Sequence, residues 1–258
     1  MMKDDTGNLE IPMSAAGPFI LFGQAHLLTV LLIGVMAIGV PLAVRKTLDV
    51  AWQYRVGALI AVVLIAQEGF QIWLHMTHHD REISSLLPLH LCGLSVLLTA
   101  WVLLVQSYRA YEIVYFWAWG GTLQALITPD LQVGFPDLLY LTFFIAHGLV
   151  IVGVLYATLV YRFRPTLMSI ARSMFALLAV VAVVAPINLW LETNYLFLSS
   201  KPTQASLMDY LGPWPWYILS LAGLALVSSF IYYLPFLIKD LVSGQSVFSG
   251  SASSHSGR

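Results

Sequence analysis

Charge is scarce in this chain: of 258 residues only 10% are Asp, Glu, Lys or Arg, while 59% are hydrophobic. Soluble domains carry about 25% charged residues, so the composition excludes an ordinary soluble fold and marks a polytopic membrane protein. Cysteine is scarcer still. The single one, Cys92, rules out an intrachain disulfide framework and any zinc site built on several thiolates. A net charge of −1 offers nothing to a nucleic acid. No lysine lies inside an apolar run, which excludes a retinal Schiff base. A Gly-x-Ser-x-Gly elbow, a P-loop and a dinucleotide fingerprint are all missing. The first 17 residues lack the basic region and short apolar core of a signal peptide.

Long apolar runs are what the chain has in plenty. A spanning helix needs about 20 apolar residues, and seven stretches qualify: roughly 19–44, 54–75, 87–105, 111–128, 137–160, 167–191 and 214–238. The expected fold is therefore an all-α bundle of about seven transmembrane helices in one domain, residues 19–240. A short N-terminal segment, 1–18, precedes it and a Ser/Gly-rich disordered tail, 241–258, follows. Pro88, Pro136, Pro165 and Pro213 punctuate helix ends, whereas Pro41, Pro186 and Pro235 fall where they would kink a helix. Trp52, Trp73, Trp117, Trp119, Trp190, Trp214 and Trp216 sit near the expected boundaries, as an interfacial belt would.

Seven spans put Lys3, Arg81 and Lys201 on one side. Arg45, Lys46, Arg55, Arg109, Arg162, Arg164, Arg172, Lys239 and Arg258 fall on the other. The bias places the N-terminus outside and the C-terminus in the cytoplasm. With that topology Glu68, Gln71, His75, His90, Cys92, Gln124, Asn188 and His26 all lie in the outer half, which implies a polar cavity opening outward. His147, eleven residues past Pro136, is about 16 Å in and near the midplane. Its expected depth differs from that of Cys92 by about 10 Å.

Glu68 reads as the one acidic residue within a span, which requires it to be protonated, paired or facing water. It is either a hydrogen-bond node or part of a functional polar site, with Gln71 and His75 on the same helix face. Cys92 has two readings: a small buried hydrophobe, or a nucleophile activated by His147 or His90. His75, His78, His79 and His90 raise a metal site, but the zincin pattern is absent and no metal is assigned. A haem on His26, His90 or His147 has less support again, so no cofactor is implied. Asn188 follows Pro186 and reads first as repair of the backbone break there. Lys201 is the lone basic residue of the last outer loop, solvated or meeting a lipid phosphate.

Four motifs together carry a resemblance. They are Leu-Pro-Leu-His-Leu-Cys at 87–92, Ala-His-Gly at 146–148, Asn-Tyr-Leu-Phe-Leu with Lys-Pro at 194–202, and Gly-Pro-Trp-Pro-Trp-Tyr at 212–217. From about residue 20 to 238 the chain resembles the YwaF-like bacterial integral membrane proteins. These group with the eukaryotic transmembrane acyltransferases that place polyunsaturated chains on ether phospholipids. The resemblance implies a bacterial inner-membrane enzyme that passes an acyl group from phospholipid to lysophospholipid. Cys92 would carry the acyl group as a thioester and His147 would assist. Glu68, His90, Gln124, Asn188, Asn194 and Lys201 are the supporting candidates, with His90, Gln124 and Asn188 as oxyanion donors. Two other classes stay open: a proton-coupled transporter or ligand sensor using Glu68, His90 and His147, and a structural membrane protein without chemistry.

Overall fold

The structure, a computed structural model, describes residues 17–78, 87–202 and 207–243. The expected N-terminal segment up to residue 16, His79, Arg81 and the tail from 244 lie outside the described residues, as does the side chain of His78.

Where hydrocarbon offers backbone amides no partner, helix is the economical answer for apolar runs of this length. The order is α1 (Gln24–Thr47), α2 (Val50–His78), α3 (Leu91–Val105), α4 (Tyr108–Trp117), a π-turn (Ala118–Thr122), α5 (Leu123–Ile127), α6 (Leu138–Leu159), α7 (Leu167–Leu191) and α8 (Trp216–Ser243). Helices α1, α2, α6, α7 and α8 are each long and apolar enough to cross a membrane, and α3 is apolar but shorter. The chain is thus an all-helical, multi-pass membrane protein. Pro41, Pro186 and Pro235 all lie inside helices rather than ending them.

Helix ends depart from the hydropathy reading for identifiable reasons. Residues 17–19 pair with the loop after α5, through Phe19 N–H to Gln132 O and Gly134 N–H to Gly17 O, so α1 starts at Gln24. Ser107 starts α4 early by accepting from the Ala110 amide at 3.3 Å. Gly120 and Gly121 fall in the π-turn, and Leu91 of α3 fills the space beside Gly121. Of the tryptophans expected at the interfaces, Trp52, Trp73, Trp190, Trp214 and Trp216 are exposed. Trp117, the last residue of α4, is buried, and Trp119, in the π-turn, is half-buried.

Helix α6 is the centre of the bundle. In its apolar window 61% is buried, against 22% or less in the other four long helices. It packs on α1, α2 and α3, with glycine at the tightest crossings. A Cβ on Gly148 would meet Ile33 of α1 at 3.0 Å, and one on Gly153 would meet Thr99 Cγ2 of α3 at 2.5 Å. Small residues let membrane helices approach closely where the hydrophobic effect cannot drive them together.

One end of the bundle is tied by tyrosines and ion pairs. Tyr156 donates to Gln53 O, Tyr161 to Leu103 O at 3.1 Å, and Tyr108 to Arg164 O at 2.9 Å. Arg164 pairs with the fully buried Asp240. The fully buried Glu112 accepts from Arg172 and from the Ser169 hydroxyl. Glu68 is therefore not the only acidic residue within an expected span. Glu112 lies inside 111–128 and is the more buried of the two. It is tolerated because it is paired.

Gly153→Ala should destabilise the bundle by about 1–3 kcal/mol through overpacking against Thr99. Thr99→Ser, which removes the methyl in contact, should restore part of that loss. Thermal unfolding of the two variants and their double mutant in mild detergent checks both.

Candidate functional site around Cys92

The stretch Leu87–His90 is not helix. Hydropathy alone would begin the third span at residue 87, but Pro88 folds back onto Gly93, where a Cβ would stand 3.0 Å from Pro88 Cα. Helix therefore begins at Leu91, with His90 as an extended N-cap that makes no capping side-chain bond. Cys92 lies in the first turn of α3, half-buried. The opening amides of any helix lack intrahelical acceptors, and their partial positive charge favours an anion at this point.

The Thr99–Gly153 contact fixes how deep that turn lies. Helices α3 and α6 run in the same direction. Cys92 is seven residues before Thr99, and His147 is six before Gly153. At 1.5 Å per residue the two side chains differ in depth by only about 2 Å. The 10 Å mismatch expected from sequence disappears because α3 starts about two turns further in than α6. Sequence spacing could not show this, since it depends on four residues of non-helical chain.

Equal depth is not contact. No hydrogen bond joins Cys92 to His147. By the helical repeat Ala146 faces α3 opposite Cys92, and His147 stands about 100° further round α6. His147 is buried, its ring stacks on Phe143 at 4.0 Å, and Nδ1 lies 2.7 Å from Phe143 O. A carbonyl can only accept, so Nδ1 carries the proton and Nε2 keeps its lone pair. Glu68 is half-buried on α2. Its neighbour Gln67 donates to Thr142 O of α6 at 3.0 Å.

Three of the four sequence motifs meet at this end of the bundle. The Leu87 amide donates to the Tyr195 hydroxyl at 2.9 Å, and the His90 ring packs against Tyr195 and Phe197 at 5.0 and 5.7 Å. Tyr217 donates to Phe197 O and Trp214 Nε1 to Leu198 O at 3.0 Å. Lys201 Nζ sits 5.5 Å from the Tyr217 ring centre. Asn194 holds the turn from within, donating to Ser200 O at 2.9 Å and accepting from the amides of Ser199 and Ser200. Burial raises the Tyr195 phenol above its ordinary value, so it stays a neutral hydroxyl that accepts from Leu87.

Asn188 organises this loop rather than mending the break at Pro186. Its Nδ2 donates to Tyr195 O at 2.9 Å, and its Oδ1 accepts from the Tyr195 amide and the Thr193 hydroxyl at 2.9 and 3.0 Å. Both ends of the amide are thereby committed to the loop. Gln124 is exposed and donates to Thr128 at 2.8 Å. His26 is also engaged: it accepts from the Phe22 amide and its Nε2 lies 2.9 Å from Leu126 O. Among the described residues no three His, Cys, Asp or Glu side chains gather as a metal site would require. One cavity among the described residues, of about 410 Å³, lies at the other end, between α4 and α7.

Hydropathy and motif reading missed Glu112, Gly153 and the pairing of Tyr195 with Leu87. Arg109-x-x-Glu112 was a legible signal, since an i, i+3 ion pair on a helix is visible in sequence. The other two depend on contacts between distant segments.

A model of the TMEM164 family matches residues 21–233, and the chain belongs to that family. No curated protein and no solved structure matches it.

Asn188→Ala removes three hydrogen bonds from the loop and should cost about 1–3 kcal/mol. Amide exchange of residues 193–198 should accelerate in that variant while the start of α6 is unchanged. Equal exchange in both proteins would show that Asn188 does not hold the loop.

Proposed function

We propose that this TMEM164-family protein moves a fatty acyl group between a phospholipid and a lysolipid through a thioester on Cys92. One observation carries the reading. A half-buried thiol stands in the uncapped first turn of a recessed helix, level with an imidazole whose free nitrogen is Nε2. A helix start eases ionisation of a thiol, and a half-buried one still needs the base that His147 would supply.

The chemistry follows from those atoms. His147 Nε2 takes the Cys92 proton, through one bridging water because the two side chains are not in direct contact. The thiolate attacks the ester carbonyl, and the oxyanion is met by the opening amides of α3. The carbon–oxygen bond to glycerol then breaks and the departing alkoxide takes the proton back from His147, leaving an acyl thioester and a lysolipid. A second lysolipid hydroxyl, deprotonated by His147, attacks the thioester and releases the thiol. His90 remains beside the reacting end through its packing on Tyr195 and Phe197. Asn188 and Asn194 act by shaping the loop, not as donors to the substrate. Lys201, above Tyr217, is placed to meet a lipid phosphate at the surface.

The seven helical passes α1, α2, α3, α4 through α5, α6, α7 and α8 all serve as spans in this reading. Among the described residues Arg45, Lys46, Arg55, Arg109, Arg162, Arg164, Arg172 and Lys239 cluster towards one end and Lys201 stands at the other. That asymmetry supports an orientation with the Cys92 end outside and the C-terminus inside, in what this reading takes to be a bacterial cytoplasmic membrane.

Purified protein given labelled phosphatidylcholine and a lysolipid should form a hydroxylamine-sensitive acyl adduct. Cys92→Ala should abolish the adduct and His147→Ala should slow it by about 10²-fold or more. Equal labelling of Cys92→Ala would end the mechanism and favour proton-coupled transport using Glu68, His90 and His147. A cysteine placed at residues 162–166 should resist an impermeant thiol reagent in intact cells, and labelling there would reverse the orientation.

A further inference from the structure

Glu112 raises a question the acyl chemistry leaves untouched. A fully buried carboxylate inside a span is expensive, and this one holds two guanidiniums at once. Arg172 pairs with Oε1, and Arg109 Nη1 lies 3.6 Å from Oε2. Two cations against one anion leave a surplus positive charge. Both guanidiniums also reach away from the core: the Arg109 side chain is 73% exposed and that of Arg172 is 39%. Each has five donors in a planar fork suited to phosphate, and Glu112 is the acceptor that each meets within the protein.

What lies beside them is a cleft between α4 and α7. It has a volume of about 410 Å³ and is lined by Arg109, Ile113, Ala171, Arg172, Phe175 and Ala176. Its two ends differ in character. Arg109 and Arg172 stand nearer the helix starts, while Ile113, Phe175 and Ala176 come about one turn further into the bundle. Ala171 and Ala176 leave the groove open, and Phe175, 74% exposed, forms one wall. Charge therefore comes first and an apolar slot second, along the direction that leads from the membrane surface to its interior.

We propose that this cleft binds one anionic glycerophospholipid, its phosphate bridging Arg109 and Arg172 and one acyl chain lying along Phe175 and Ala176. An amphiphile fits this order of groups better than a free anion, which would leave the apolar slot unused. Positive charge in excess at the surface end favours a net-negative headgroup over a zwitterionic one. Glu112 acts as a positioning residue that sets the spacing of the two guanidiniums. The site lies at the end of the bundle opposite Cys92 and does not depend on the acyl-transfer reading.

Native mass spectrometry of the full chain, titrated with phosphatidylglycerol and separately with phosphatidylcholine, tests it. Phosphatidylglycerol should bind more tightly, and Arg109→Gln should weaken it about tenfold, the loss of one charge-assisted hydrogen bond. Ala176→Phe fills the slot without touching the ion network, so it should lower affinity by a similar factor in a folded protein. Cys92→Ala should leave binding unchanged. Millimolar inorganic phosphate should not displace the lipid. Displacement by phosphate would mean a free-anion site, and undiminished lipid binding in both Arg109→Gln and Ala176→Phe would mean no site there; either result overturns the proposal.

Discussion

The close approach of α3 and α6 at Gly153 is the constraint on which the rest depends. With no side chain at that position, Thr99 can lie against the α6 backbone, and the register of two parallel helices is set. Lipid tails gain nothing by leaving one apolar helix surface for another, so such contacts rest on shape. A larger residue would push α3 outward or along its axis. Because α3 has only 15 residues, a slide of one turn would carry its first residues well away from their present level. The position of Cys92 is in this sense a property of Gly153.

Polar groups are handled differently at the two ends. At the arginine-rich end buried carboxylates are matched to guanidiniums: Glu112 with Arg172 and Arg109, Asp240 with Arg164. Such pairs are costly to break, because the surviving charge would be stranded in a medium of low dielectric. At the Cys92 end neutral groups dominate. Asn188, Tyr195, Tyr217 and Asn194 close a loop through amide and hydroxyl bonds. The first arrangement suits a fixed surface charge. The second would suit the proposed lipid site, since neutral hydrogen bonds can be exchanged at lower cost.

Much of the fold was legible in composition, since runs of about 20 apolar residues leave a membrane chain little choice. The errors fell where backbone, not hydropathy, decides. Residues 87–90 are as apolar as the helix that follows, but Pro88 turns them out of it. Residues 17–19 pair with the loop at 132–134, and 20–23 turn before α1 begins. The π-turn at Ala118–Thr122 has no period that a sequence scan would detect, and Trp117, just before it, lies in the core and not at the expected interface. The site was less legible. Cys92 and His147 were nameable from motifs, but their common depth rests on a contact between Thr99 and Gly153. Asn188 was visible as a polar residue after a proline, yet its partner, Tyr195, lies beyond the helix end.

What results is a thiol at the mouth of a recessed helix, an imidazole locked by its own backbone at the same level, and a hydrogen-bonded loop across the top. The central point is the register that makes the first two level, and oxidative cross-linking to Cys92 reads it directly. Ala146 and Leu139 lie on the same face of α6, about two turns apart. A disulfide needs Cβ atoms about 4 Å apart, so only one of these positions can serve. Under mild oxidation Ala146→Cys is expected to bridge to Cys92 and Leu139→Cys is not. A bridge at 139 and none at 146 would place Cys92 near the membrane surface, two turns from His147, and would contradict the shared site.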